Sequence, residues 1–104
     1  MIVGKTEDEK TVVDGKFVFK MSDTHGLPLE ITVDLLRQKN MVVDWVSFYN
    51  AASDVGWQPK RIFSRIEAAV GDVFGSRARQ EVSTRLMFCL LRDTHGKEAS
   101  SHLV

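Results

Sequence analysis

The sequence predicts an all-α domain, a compact orthogonal bundle of about five short helices, and three observations carry that reading. Helix-stopping residues punctuate the chain at Gly26-Leu27-Pro28, Asn40, Gly56-Trp57-Gln58-Pro59 and Gly75. Between the last two stops, apolar residues recur at i, i+4 and i+8, the rhythm of one buried helix face. With 43% hydrophobic and 27% charged residues over 104 positions, the chain fills one core and not two. Few heptads run uninterrupted, so a long coiled coil is not expected.

Taken in order, residues 1–12 read as a mobile N-terminus, because the stretch Lys5-Thr6-Glu7-Asp8-Glu9-Lys10 is polar and aperiodic. A single helical domain is expected over residues 13–96. Its first element is ambiguous. Val12-Val13-Asp14-Gly15-Lys16-Phe17-Val18-Phe19 places Asp-Gly between apolar runs, a hairpin signal, whereas Gly26 and Pro28 mark the end of a helix. We read a short helix from about Gly15 to His25, with an N-terminal hairpin across residues 11–20 as the alternative.

Pro28 opens a second helix carrying Leu29, Ile31, Val33, Leu35 and Leu36, with cations Arg37 and Lys39 near its negative end and Asn40 as its stop. Asp44 is a side-chain cap for a third, through Trp45, Val46, Phe48, Tyr49 and Ala52. Pro59 begins the clearest helix. Ile62, Phe63, Ile66, Ala69, Val70, Val73 and Phe74 form its apolar face, and Gly75 closes it. The last helix starts at Ser76 and carries Val82, Leu86, Cys89 and Leu90 on one face, with Met87 and Leu91 widening the stripe. It is expected to end at Thr94-His95-Gly96, leaving 97–104 as a disordered tail.

Fourteen basic and fourteen acidic residues cancel, which removes any bulk attraction for a polyanion. The charge is nonetheless uneven: residues 1–56 hold six Lys/Arg against nine Asp/Glu, and residues 57–92 hold seven against three. An anion-seeking face therefore lies in the second half. The lone Cys89 excludes an intramolecular disulfide, and no apolar run reaches membrane-span length, so a cytoplasmic, soluble protein is expected.

The segment Asp14-Gly15-Lys16-Phe17-Val18-Phe19-Lys20-Met21-Ser22-Asp23-Thr24-His25-Gly26-Leu27-Pro28-Leu29-Glu30-Ile31-Thr32 resembles alanyl-tRNA synthetase, where Asp-Thr-Tyr-Gly-Phe-Pro is followed by an acidic-aliphatic-Thr run. The likeness extends through Val43-Asp44 and Phe48, covering roughly residues 14–52. It implies helical structure there, in a domain beside the catalytic core that helps recognise the tRNA acceptor stem and performs no chemistry. The chain departs from the pattern at Ser22, His25 and Leu27, where the family carries aromatic residues. His25, His95 and His102 lack the paired-histidine spacing of the family's editing site, and neither aminoacylation nor editing is expected of this chain alone. Gly56-Trp57-Gln58-Pro59 also resembles, faintly, an element of small uncharacterised helical bacterial proteins, a likeness that brings no activity.

Candidate sites follow from residue chemistry. Lys60, Arg61, Arg65, Arg77 and Arg79 are the candidate nucleic-acid-binding residues, with Trp57 as a stacking or partner-binding residue near the start of the same helix. The competing reading is two solvated helix faces, since Glu67, Asp72 and Glu81 interrupt the run. Asp-Thr-His-Gly occurs at 23–26 and again at 93–96, which could bring two aspartates and two histidines to a metal. Repeated helix capping explains both copies, and no metal or cofactor is expected. Cys89 sits among apolar residues and reads as a core thiol. No catalytic residue is assigned and no enzyme is expected. The leading expectation is a non-catalytic protein-interaction module, binding another protein or itself, with RNA or acceptor-stem binding through residues 57–92 as the alternative. No membrane and no small-molecule substrate is indicated.

Overall fold

The structure, a computed structural model, describes the backbone of residues 2–103 and the side chains of residues 2–92. Its elements run β1 (Ile2–Lys5), β2 (Thr11–Val13), α1 (Gly15–His25), α2 (Leu29–Gln38), β3 (Met41–Val43), α3 (Trp45–Asp54), α4 (Pro59–Phe74) and α5 (Ser76–Leu103). The chain is thus mostly helical, but the all-α expectation is corrected by a three-stranded sheet of order β1-β2-β3. β1 and β2 are antiparallel, and their register slips between Ile2 and Gly4. β2 and β3 are parallel, with Val12 opposite Val42 and Val13 opposite Val43. A parallel pair requires a crossover of a dozen or more residues, and here α1 and α2 supply it.

Residues 11–20 divide between the two readings. Thr11–Val13 is strand, and the helix starts at Gly15, as the helix reading has it. Asp14 is a cap and no hairpin turn: its Oδ1 accepts from Lys16 N–H at 3.0 Å. A hairpin does exist, but one step earlier, formed by β1 and β2 around residues 6–10. Asp14-Gly15 misleads because glycine is required there for a reason that is not local. A Cβ on Gly15 would overlap Asp44 O and Phe48 N, and would stand 2.8 Å from Phe48 Cα. The first turn of α1 lies directly on the first turn of α3.

The two strand-to-helix units are built alike. Asp44 caps α3 as Asp14 caps α1, with its Oδ1 accepting from Val46 N–H at 3.1 Å. Val13, Gly15, Val18 and Phe19 are buried in the first unit; Val43, Trp45, Phe48 and Tyr49 occupy the matching places in the second. Ser47 joins them: its Oγ accepts from Gly15 N–H at 2.8 Å and donates to Asp44 O at 3.0 Å. Phe48 stands edge-on to both Phe19 and Trp45, at centroid distances of 5.4 and 5.3 Å.

Over this pair pack α4, through Ile62, Ile66, Ala69 and Val70, and α5, through Val82, Leu86 and Cys89. α2 buries Leu29 and Val33 against α4, while Ile31 and Leu35 point away from the core. The expected apolar face of α5 is narrower than its composition: Met87 and Leu91 are exposed, as is Phe88 at 68%. Among the described residues of α5 only Val82, Leu86 and Cys89 are buried, a stripe set by their spacing of four and three residues.

The two copies of Asp-Thr-His-Gly have different fates. At 23–26 the tetrapeptide ends α1, with Gly26 in the left-handed conformation at φ 69°. At 93–96 the backbone stays helical, and α5 runs on to Leu103. The expected stop at Thr94-His95-Gly96 is therefore not made. Pro28 is the difference: it bars Leu27 from helical geometry, whereas Lys97-Glu98-Ala99 allows the helix to continue past a glycine at about 1 kcal/mol. No helix among the described residues is long and apolar enough to cross a membrane.

Candidate nucleic-acid interface

The site is assembled by two turns that meet. Between α3 and α4 the chain reverses at Gly56, at φ 97°, and Trp57 N–H donates to Ala52 O at 3.0 Å, which fixes the indole just ahead of α4. Trp57 is half-buried, edge-on to Phe19 of α1 at 5.2 Å between centroids. One helical turn on, the Arg61 guanidinium lies over the indole, Cζ 3.7 Å from the ring centroid. Arg65 follows at the next i+4 position, with Lys60 and Ser64 beside it.

The α1–α2 joint forms the facing wall. Asp23, Gly26, Pro28 and Glu30 line a cleft of about 310 Å³ closed on its other side by Trp57, Arg61 and Arg65. Asp23 and Glu30 make no ion pair among the described residues, and neither do Lys60, Arg61 and Arg65. The start of α4 adds a weak positive end, since Gln58 offers no side-chain cap and Pro59 occupies the first turn.

The five basic candidates divide by location. Lys60, Arg61 and Arg65 share the surface beside Trp57 and the α1–α2 joint. Arg77 stands apart, 3.9 Å from Glu81, in a pair whose side chains are 95% and 72% exposed. Arg79 serves the α4–α5 junction: it lies 3.6 Å from Glu67, whose other oxygen accepts from Ser83 Oγ at 2.8 Å, and its methylenes cover Gly71. Asp23, weighed from sequence only as a metal ligand, and Glu30 were not among the nucleic-acid-binding candidates. The decapeptide that contains them stands out in the sequence, but nothing local joins it to a helix that begins at Pro59.

Other candidates resolve simply. Cys89 is buried in the core. Trp45 is buried against Phe48. Among the described residues no three His, Cys, Asp or Glu side chains gather as a metal would require, and the side chains of the second Asp-Thr-His-Gly lie outside those residues.

With the joint at residues 23–32 forming one wall of the cleft, comparison with known proteins bears directly on it. The chain resembles a segment of alanine–tRNA ligase. It is 35% identical to the alanine–tRNA ligase of Halorhodospira halophila over 75 residues, 72% of this chain and 8% of that ligase. The ligase of Mesorhizobium japonicum gives 35% over 77 residues, 73% of the chain and 9% of the relative. That of Campylobacter jejuni gives 43% over 42 residues, 40% of the chain. The likeness to alanine–tRNA ligase thus reaches beyond residues 14–52, while the chain spans less than a tenth of the length of the relatives that it matches. No family model matches, and no solved structure does.

Proposed function

We propose that this chain is a non-catalytic, cytoplasmic accessory domain that binds RNA of the tRNA acceptor type through Lys60, Arg61 and Arg65. The observation that carries this reading is the cleft in which the α1–α2 joint meets the basic start of α4, in a chain that resembles a segment of alanine–tRNA ligase over 72% of its length. Cations at the open end of that cleft, free of carboxylate partners among the described residues, attract phosphates, and their attraction must fall with salt. Arg77 and Arg79 contribute general positive potential at most, since each has a carboxylate partner.

A salt titration of tRNA binding by fluorescence anisotropy tests the reading. At low salt the wild-type chain binds; replacing Arg61 and Arg65 by alanine weakens binding and flattens the salt slope by roughly 0.7 to 0.9 for each phosphate no longer neutralised. Absence of binding at low salt, or affinity indifferent to both replacements, refutes it.

A second reading, docking of another protein or a second copy, is favoured by one observation. Met87, Phe88 and Leu91 leave an apolar strip on the outside of α5. Light scattering that changes on Phe88→Ser replacement supports this reading; a monomer at every concentration and no captured partner argue against it.

A further inference from the structure

We infer that the cleft between the α1–α2 joint and the start of α4 holds one unpaired nucleobase, of the kind that carries an exocyclic amino group. This rests on the RNA-binding reading and sharpens it from a phosphate surface to a base pocket.

The argument begins with Arg61. A guanidinium used only for phosphate gains from freedom to reach outward, but this one is held over the Trp57 indole, Cζ 3.7 Å from the ring centroid, and the indole itself packs edge-on against Phe19. The indole covers the guanidinium on one side. Arg61 is exposed and lines the cleft, and a planar cation of this kind is a surface on which a base stacks. A Lys in its place would keep the charge and lose the plane.

The other wall supplies the polarity. Asp23 and Glu30 line the cleft, and their carboxylates repel a phosphate and accept hydrogen bonds only. They suit the amino edge of cytosine, adenine or guanine, whereas uracil presents them one N3–H donor flanked by two carbonyl oxygens that a carboxylate repels. Lys60 and Arg65 stand outside this wall, toward open solvent, where the flanking phosphates of the same nucleotide can lie. At about 310 Å³ the cleft is at the small end of ligand sites, room for one ring system and not for a duplex. A paired base has its amino edge occupied and both faces stacked, so the occupant is a base outside a helix.

Anisotropy measurements on the intact chain with fluorescein-labelled eight-residue probes test this. The probes are oligocytidine, oligouridine, an abasic ribose-phosphate octamer, and a blunt RNA duplex. Oligocytidine is expected to bind roughly fivefold to a hundredfold tighter than the abasic octamer and several-fold tighter than oligouridine. Arg61→Lys should lose most of the gain over the abasic probe, as Arg61→Ala does. Glu30→Gln and Asp23→Asn should erase the preference for cytidine while leaving oligouridine binding equal or tighter. Thermal melting of each variant at the wild-type temperature assigns the effects to the cleft. Equal binding of abasic and cytidine probes, Arg61→Lys matching the wild type, or a duplex preferred over every single strand overturns the base pocket and leaves the phosphate surface standing. Failure of the wild type to bind any of the four probes or tRNA removes both.

Discussion

The two strand-to-helix units, Thr11–His25 and Met41–Asp54, share a plan and differ at one decisive place. Each runs Val-Val-Asp into a helix, with the aspartate capping the second N–H beyond it and identical positions turned inward. At the first helical residue, however, the first unit has Gly15 and the second Trp45. Two helices whose first turns touch cannot both carry side chains there. Gly15 yields the space to the backbone of α3, and Trp45 uses its own place to fill the core beside Phe48. Similar local grammar therefore coexists with opposite steric roles, because the units meet face to face and are not interchangeable.

The largest effect should come from breaking this asymmetry. Gly15→Ala should destabilise the chain by about 3 kcal/mol or more by chemical denaturation, since the collision is with backbone that cannot swing aside. The sign is opposite to the usual gain of up to ~1 kcal/mol for glycine-to-alanine in a helix. Gly71→Ala, whose Cβ would meet only the flexible Arg79 side chain at 3.3 Å, supplies the control and should be neutral or stabilising. If both replacements behave alike, the close approach of α1 and α3 is wrong.

Ser47→Ala ranks next. It removes the acceptor for Gly15 N–H, so a part-buried donor is left without its partner, at a cost of about 1–3 kcal/mol. The two caps then separate the units. Asp44→Ala should cost about 1–2 kcal/mol and Asp14→Ala about 0.5–1, because the cap at Asp44 is part-buried and that at Asp14 exposed. Equal losses would mean that the units are energetically alike despite their unequal burial.

The smallest effect lies on α2, the connector between them. Hydrogen bonding from Arg37, at 2.8 Å, and from Gln38 holds the Asp34 carboxyl below its usual range. A carboxylate stabilised in the folded state contributes fully above its unfolded pKa, and that contribution is lost as pH falls through the lower folded value. Carboxyl titration by NMR should show Asp34 ionising below the ordinary aspartate range. The acid limb of stability should shift only slightly in Asp34→Asn, because the group is solvated.

Much of the helical layout was legible because its determinants are local. Asp44 caps α3, Pro28 and Gly26 bound the α1–α2 joint, Asn40 turns with φ 58° after α2, and Gly75 follows the last residue of α4. Each acts on backbone within a few residues. Of the strands, only Thr11–Val13 fell within the hairpin alternative, and β1 and β3 were not legible. Three residues of Met-Val-Val carry too little pattern to announce β3, and its partner β2 lies across two helices. The outer face of α5 was misread for a related reason: Met87 and Leu91 fit an apolar stripe by composition, but only the partner helix decides how wide a stripe it can cover. The candidate site was legible by half. Lys60, Arg61, Arg65 and Trp57 follow from charge and helical spacing, and the carboxylate wall does not.

By itself, then, the sequence determined where four of the five helices start and stop, that Cys89 belongs to the core, and that the chain resembles a segment of alanine–tRNA ligase. Tertiary structure alone decided that Asp14-Gly15 is a cap and a close approach instead of a turn, that two distant strands pair in parallel, and that Asp23 and Glu30 line one cleft with Arg61. The physical reason is range. Caps and glycine stops act through bonds closed within a turn of helix, whereas a steric exclusion or a shared cleft exists only once distant segments are brought together.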